Sequence, residues 1–483
     1  MRLSVLAKGF TLKAAAGDPD ITLVTEDSRK VRPGSLFIAV KGTARDGHDF
    51  VREALDRGAA AVAVERPDVV PPGTAHVIFP ESSADQTLAM LAARFHGNPA
   101  EGLSLVGFTG TFGKTTTSDI LRALFEAAGR KPAVIGSLGV RFRDFQDPGD
   151  GLTTPAAPQL QEWLAALRRH GAETVVMEVT SHALRLRRVA GLRFDGGLLA
   201  PILPGEHTDF HRSYDDYVGA KRLFLGYLKP EGVLAYDADN RAARQLAAEA
   251  AVSTKAGFTF RRGGNGLLEI RDVALDDRGA EFLAGSDRIR SALLGRPNVR
   301  NAALALAYAL ASGVPVETAR SVLGQMKALP RRMERLDLFG RTVLDDTSGH
   351  PESLAAVFEV APLLPRERLV VAWAIRGNRG ADVNRAMAFA LADLTTLHGA
   401  DELLVTASSD QTEPKDRARP EEVDAVRAAL QLRGRRHAFH ETLEDAMEAV
   451  AAASRAGDLV VLIGAQGMNE GSRLFRDALS VAR

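Results

Sequence analysis

The densest chemical signal in this 483-residue chain is the run Thr109-Gly110-Thr111-Phe112-Gly113-Lys114-Thr115-Thr116. Glycines among hydroxyl residues, closed by a lysine, are the materials of a phosphate-binding loop. The glycines let backbone N–H groups turn toward phosphate oxygens, and a helix starting at the lysine adds the positive end of its dipole. In such a loop Lys114 reaches the β- and γ-phosphates of a nucleotide, and the Thr115 hydroxyl serves as a magnesium ligand. The strict pattern places glycine six residues before the lysine; here Phe108 stands there and Gly107 precedes it. A chance Gly-Lys-Thr turn is the competing reading. The apolar run at 103–108 before the loop and the amphipathic stretch at 115–128 after it argue against chance.

A second apolar run, Thr174-Val175-Val176-Met177-Glu178, ends in a carboxylate. An acid-tipped parallel strand beside a phosphate loop is how such folds hold magnesium, although a solvated acid at a strand end is the commoner meaning of the pattern alone. A polar cluster follows: His182, then Glu206, His207, Asp209 and His211, then Lys221. Magnesium prefers oxygen, so imidazoles by themselves do not specify it. The cluster suggests one histidine as a ligand and the others in structural roles.

These groups need a scaffold, and the patterning supplies one. Apolar clusters at 35–41, 59–65, 103–108, 174–179, 369–375, 402–406 and 459–464 alternate with helical patterns such as 115–128, 158–170 and 421–432. Short buried strands alternating with helices predict an α/β protein on mostly parallel sheets. His96-Gly97-Asn98-Pro99 and Ala328-Leu329-Pro330 read as boundaries, giving domains 1–98, 99–330 and 331–483. Apolar residues at 45% and charged residues at 25% are a globular balance that excludes a disordered or fibrous chain. Equal numbers of basic and acidic residues, 61 each, leave no basic field for nucleic acid. The absence of cysteine removes disulfides, thiolate metal sites and cysteine nucleophiles. No apolar run reaches the ~18 residues of a membrane span, and MRLSVLAKGF lacks a signal peptide's apolar core. The expectation is a cytoplasmic monomer with neither nucleic-acid nor membrane partners.

The segments TGTFGKTTT, MEVTSHALRLRRV, GEHTDFH and YVGAKRLF resemble the central domain of the Mur ligases. DSRKVRPGSLFIAVKGTARDGHDF at the front is similar to the UDP-binding domain of that family's third-residue-adding branch, and GRPNVRNAALA and RRMERLD to its adenine-side and hinge segments. The resemblance implies three domains: an N-terminal UDP-binding α/β domain, a central ATPase-like domain, and a C-terminal Rossmann-like domain that takes the amino acid. It implies an ADP-forming ligase that phosphorylates the carboxylate of a UDP-sugar peptide and lets an amino acid's amine displace phosphate, with ATP and magnesium. By motif position, Gly110, Thr111, Gly113, Lys114, Thr115 and Thr116 would hold phosphates, and Thr115, Glu178, His207 and Lys221 the metal. Lys221 matches a lysine that the family carbamylates. Lys114, Glu178, His207 and Lys221 are thus the catalytic set. Asn301 would face adenine, with Arg332 and Asp346 bringing the last domain onto the nucleotide. Ser28, Thr153, Thr154, Thr180 and Arg188 would hold the UDP-sugar peptide.

Departures from the family pattern are concentrated at two places. Phe112 replaces an asparagine in the loop, and Ala200-Pro201 a Thr-Asn pair. In the last domain LDDTSGHPESL keeps Asp346 and Pro351 but loses an aromatic and a histidine. AIRGNRGADVNR replaces a glycine-rich Asp-Arg segment. Ser408-Ser409-Asp410-Gln411 stands where an Asp-Asn-Pro-Arg motif would read diaminopimelate, and Ala465-Gln466-Gly467-Met468-Asn469-Glu470 replaces Gly-Lys-Gly-His-Glu. The nucleotide end therefore reads as retained and the acceptor end as rebuilt. Asp410 is expected to repel a distal carboxylate, favouring a basic or small neutral acceptor unless Arg417 or Arg419 takes the missing arginine's place. Two other functions compete: a paralogous ligase for a different carboxylate and amine, and a nucleotide-binding regulator that has lost ligation.

Overall fold

The computed structural model describes residues 1–13, 18–42, 45–80, 83–205, 210–414 and 416–481. By compactness the chain forms two units, residues 1–268 with 304–315, and residues 269–303 with 316–483. The first holds two sheets. Its N-terminal sheet runs in the order Thr11–Lys13, His76–Ile78, Ala59–Val64, Ser35–Ile38, Leu23–Thr25, antiparallel at the first pair and parallel after it. Leu36, Ile38, Ala61, Ala63 and Val77 face the helix Ala84–Phe95 in one core, and Phe37, Val62 and Val64 face Val51 and Ala54 in another.

The second sheet of this unit positions the candidate site. Its strands lie in the order Thr254–Thr259, Leu228–Asp237, Phe194–Leu199, Ser104–Thr109, Thr174–Glu178, Pro132–Gly136. All of these pair in parallel, and Gly139–Phe142 and Phe145–Asp147 add an antiparallel edge. Ser104–Thr109 is central, so its side chains are covered on both faces, which is why SLVGFT reads as an unbroken apolar run rather than an alternating one. Three glycines, Gly107 on this strand and Gly196 and Gly197 on the neighbouring Phe194–Leu199, are required by aromatic rings. A Cβ on Gly107 would sit 2.5 Å from the Phe224 ring and one on Gly197 2.8 Å from the same ring. A Cβ on Gly196 would overlap the Tyr308 hydroxyl.

The second unit contains the antiparallel strands Leu268–Asp276, Gly279–Ala284 and Asp287–Ser291. It also holds a sheet ordered Glu334–Leu338, Arg341–Asp346, Leu459–Ile463, Leu369–Ala374, Glu402–Thr406, Ala438–His440, parallel except at the first pair. Helices Pro351–Val360, Ala381–Leu397 and Pro420–Leu432 cover one face and Leu443–Ala453 with Gly471–Val481 the other. The chain is thus α/β with mostly parallel sheets, as its patterning predicts. Every strand expected from an apolar cluster is present within a few residues of its predicted ends.

Because Gly196 lies against a buried tyrosine with no room to relax, Gly196→Ala should lower stability by about 1–3 kcal/mol, the cost of overpacking a filled core. A denaturant titration checks this, and an unchanged midpoint would contradict the packing.

Candidate active site

The central strand delivers its last residue, Thr109, directly into the glycine-rich turn. Ala200 N donates to the Thr109 carbonyl at 3.0 Å, and Thr111 N to the Pro201 carbonyl at 2.8 Å, so the segment after the neighbouring strand fixes the loop. Gly110 presses so closely on Ala200 that an added Cβ would lie 2.5 Å from the Ala200 Cβ. Residue 110 must therefore be glycine. Gly113, with φ +79°, caps the helix Lys114–Ala127 in the left-handed conformation that glycine adopts without strain. Ile120, Leu121, Leu124 and Phe125 anchor that helix in the core, and Thr115 and Thr116 are buried in its first turn. Phe112 is half-buried beside them.

Lys114 Nζ donates to the carbonyls of Gly110 at 3.0 Å and Thr111 at 3.1 Å, curling over the loop. Lys221 comes from the helix Tyr214–Arg222 and is almost fully buried. Its Nζ donates to the same Gly110 carbonyl at 2.9 Å, reaches the Thr109 hydroxyl at 3.4 Å, and lies 4.6 Å from the Tyr217 ring centre. The Tyr217 hydroxyl meets the Thr111 hydroxyl at 3.1 Å. Two ammonium groups converging on one carbonyl oxygen make the strand end a place that attracts anions.

Glu178 ends the adjacent parallel strand, paired with Phe108, and is fully buried. Its carboxylate accepts from Ser137 N at 3.0 Å and from Ser137 Oγ at 3.2 Å. Its backbone carbonyl accepts from the Thr154 hydroxyl at 3.0 Å, and Thr180 N donates to that hydroxyl at 3.0 Å. Arg188 donates to the Thr154 carbonyl at 2.9 Å, and Thr153 meets Ser137 Oγ at 2.9 Å. Thr153, Thr154, Thr180, Arg188 and Glu178 are therefore one connected group. Ser28 lies half-buried in the turn Ser28–Lys30, two residues after Glu26. Burial pushes the Glu26 carboxyl up, against the pull of Lys30 and Arg188, and the Arg188 guanidinium is shifted down by burial while Glu26 and Asp85 oppose the shift. The turn bearing Ser28 is thus within electrostatic reach of Arg188.

Two histidines of the cluster are held by their neighbours. His211 is buried between Ser181 Oγ at 2.9 Å and Asp216 at 3.3 Å, and burial lowers its pKa, with Asp216 opposing. His182 stacks on Phe210 at 4.1 Å between ring centres. Both are packed as structural rings. Glu206, His207 and Asp209 lie outside the described residues. Among the described residues no group of three or more histidine or acidic side chains closes on one point. The donors that are present, Thr115 and Glu178 oxygens, suit a hard cation such as magnesium.

In the second unit, Arg332 and Asp346 come together. Arg332 donates to the Thr347 hydroxyl at 2.7 Å, while Asp346 accepts from Met333 N at 2.8 Å and from the Ser348 hydroxyl. Burial holds the Asp346 carboxyl above the usual range. Asn301 donates to the Asn298 side chain at 3.1 Å. Arg331 pins the 464–470 segment, reaching Asp345 at 3.1 Å, the Ala465 carbonyl at 3.0 Å, Asn469 at 2.6 Å and the Gly464 carbonyl. Asp410, which is exposed, accepts from Leu443 N at 2.7 Å and Glu444 N at 3.4 Å, capping the helix Leu443–Ala453. Burial pushes its carboxyl up, but a bond from the Gln411 side chain, together with these backbone bonds, outweighs that and holds it below the usual range. Arg417 and Arg419 are exposed. Glu422, which the sequence did not single out, is buried and accepts from Asn378 N, Arg379 N and Gly380 N at 3.2, 2.9 and 2.7 Å. It thereby shapes the loop that carries Arg376 and Arg379 along a cleft lined by Ser348, Trp373, Asn384 and Ala465.

Comparison with known proteins agrees with this arrangement. Residues 20–97 match the Mur ligase family catalytic domain, residues 108–309 the Mur ligase middle domain, and residues 331–466 the Mur ligase glutamate ligase domain. A UDP-N-acetylmuramoyl-L-alanyl-D-glutamate–2,6-diaminopimelate ligase of Geobacter metallireducens is 32% identical, covering 96% of this chain and 93% of the relative. The chain belongs to the Mur ligase family. The Pseudomonas aeruginosa ligase of the same name is 34% identical, covering 81% of this chain and 80% of its own. The crystal structure of the MurF ligase of Thermotoga maritima in complex with ADP shares the fold at TM-score 0.67 and 22% identity, covering 95% of this chain and 98% of that one. This Mur ligase is accordingly a three-domain, ATP-dependent, ADP-forming enzyme.

Lys114→Ala should leave the fold intact and reduce ATP-dependent turnover by about a hundredfold or more, the scale of losing one charge-stabilising donor. Steady-state ADP formation beside a thermal melt checks this. Turnover like that of the unsubstituted protein would remove Lys114 from the phosphate site.

Proposed function

We propose that this Mur ligase activates the carboxylate of a UDP-N-acetylmuramoyl-peptide as an acyl phosphate and joins it to an amino acid in peptidoglycan precursor synthesis. The observation that carries the reading is the pairing of two site halves on adjacent parallel strands. One is the phosphate loop with Lys114 and Lys221 at the end of Ser104–Thr109, and the other is Glu178 with its threonine group at the end of Thr174–Glu178. A donor bound through Thr153, Thr154, Thr180 and Arg188, with Ser28 on its uridine, presents its carboxylate beside the nucleotide's γ-phosphate. A carboxylate is a poor acyl donor until phosphorylation supplies a leaving group, and anion can approach anion only where positive charge is concentrated. Lys114 neutralises phosphate charge, while the backbone N–H groups of Gly110, Gly113 and Thr116 orient it, the Thr111 N–H being used to fix the loop on Pro201. Magnesium, when held by Thr115, Glu178, His207 and Lys221, supplies further charge neutralisation. A retained phosphate loop with both strand ends complete favours an enzyme over a regulator that has lost ligation.

Lys221 is proposed to act as its carbamate. The ammonium, which crowds Lys114 at the Gly110 carbonyl, gives up a proton; the free amine then adds carbon dioxide through a new N–C bond and releases a second proton, leaving an anionic oxygen ligand. The stretches matched by the family models support the division 1–98 for the UDP-sugar, 99–330 for ATP and 331–483 for the amino acid. In the last of these, Asn301 from the preceding domain, Arg332 and Asp346 are proposed nucleotide contacts. A neutral net charge, and the absence among the described residues of a helix able to cross a membrane, fit a cytoplasmic monomer with no nucleic-acid or membrane partner.

The two relatives are named for diaminopimelate. This chain keeps no Asp-Asn-Pro-Arg motif, and Asp410 is committed to a helix cap. The cleft along Arg376 and Arg379 offers guanidinium groups to an acceptor carboxylate and no lining acid for a second ammonium. Of the basic or small neutral acceptors expected from sequence, that favours the neutral one, and it adds an acidic acceptor as a candidate.

Phosphate release measured over UDP-N-acetylmuramoyl-peptides crossed with amino acids, for the unsubstituted enzyme and Lys221→Ala, tests the whole reading. The expected result is donor- and acceptor-dependent release with a neutral or acidic acceptor. Lys221→Ala should be nearly inactive and partly restored by a short carboxylic acid. Highest kcat/KM with diaminopimelate would overturn the acceptor inference, and no release with any pair would overturn ligation.

A further inference from the structure

The carboxylate of Glu178 is gripped at both oxygens by one residue that no motif contains. Ser137 follows the strand Pro132–Gly136; its N–H donates to Oε1 at 3.0 Å and its hydroxyl to Oε2 at 3.2 Å. The residue before it must be glycine, because a Cβ on Gly136 would overlap the same carboxylate. On its other side the Ser137 hydroxyl meets the Thr153 hydroxyl at 2.9 Å.

We propose that Ser137 is a positioning residue. It fixes Glu178 toward the metal and, through Thr153, ties that carboxylate to the bound donor. The inference rests on the roles given above to Glu178 and Thr153. Proton counting gives the chain a direction. A carboxylate oxygen only accepts, so Ser137 spends its single hydroxyl proton on Glu178. The bond between the two hydroxyls is then donated by Thr153 to Ser137 Oγ. Thr153 is left with lone pairs alone to show a ligand. At that point the donor substrate must present a hydrogen, from a peptide N–H or a sugar hydroxyl, and its reacting carboxylate lies elsewhere. Hydroxyl chains of this kind polarise one another, so a donor N–H on Thr153 strengthens the grip on Glu178. Groups that orient a metal's ligands set the metal's affinity as the ligands themselves do.

The test uses the full chain with Mn2+ as the metal probe in the presence of ADP, read by electron paramagnetic resonance. Ser137→Ala keeps the backbone N–H bond but removes the hydroxyl, and should weaken Mn2+ binding about tenfold. Ser137→Thr restores the hydroxyl and should return affinity to within about twofold of the original. Ser137→Ala binding Mn2+ as the unsubstituted protein does, or Ser137→Thr failing to rescue it, overturns the positioning role. A second arm measures binding of UDP-N-acetylmuramoyl-L-alanyl-D-glutamate by calorimetry without nucleotide or metal. Thr153→Val and Ser137→Ala should each weaken it about tenfold, and the double variant no further, because both cut one chain. Losses that multiply overturn the link between them. If the unsubstituted protein does not bind this peptide, the donor reading under the proposed function falls, and the Mn2+ arm alone decides the role of Ser137.

Discussion

Two buried or half-buried lysines, Lys114 and Lys221, meet at the carbonyl of Gly110, and the rest of the site is arranged around that point. It can exist only because the chain makes a sharp turn between a central strand and a helix. Gly110 and Gly113 make the turn possible, while Ala200 and Pro201 brace it from the neighbouring strand. A triphosphate beside a carboxylate is the pair of anions that a ligase of this family must bring together; the charge of Lys114 suits that task, and Lys221, as the proposed carbamate, would instead hold the metal that screens them.

The carboxylate side of the site is organised differently. Glu178 is buried at the next strand end; its side chain accepts from Ser137 and its backbone carbonyl from Thr154. Thr153 is linked to it through Ser137, and Thr180 and the guanidinium of Arg188 through Thr154. Under the proposed placement, a substrate bound to that group would reach Glu178 through one or two hydrogen bonds.

Much of this was legible in the sequence, for reasons that can be stated residue by residue. The strand at Ser104–Thr109 and the helix at Lys114–Ala127 are set by local patterning, so their apolar runs and the glycines between them give the site away. The prediction ended that strand at Phe108; it continues through Thr109 because Ala200 N bonds the Thr109 carbonyl, a contact ninety-one residues apart in sequence that no local pattern reveals. Ser137 and Glu422 were invisible for the same reason. A lone serine after a strand and one acid among several on a helix carry no sign of the distant groups they hold. The charge of Asp410 was legible, but its partner, the N-terminus of Leu443–Ala453, was not.

The central claim is that the phosphoryl-transfer half of this Mur ligase is intact and works without its acceptor. Positional isotope exchange in ATP tests it most directly. ATP carrying heavy oxygen in the β,γ-bridge is incubated with magnesium and a UDP-N-acetylmuramoyl-peptide, with no amino acid present. Reversible acyl phosphate formation frees the β-phosphate to rotate, so the label should scramble into the non-bridging β positions only when donor is present. Label that stays in the bridge with donor and magnesium bound would contradict the account.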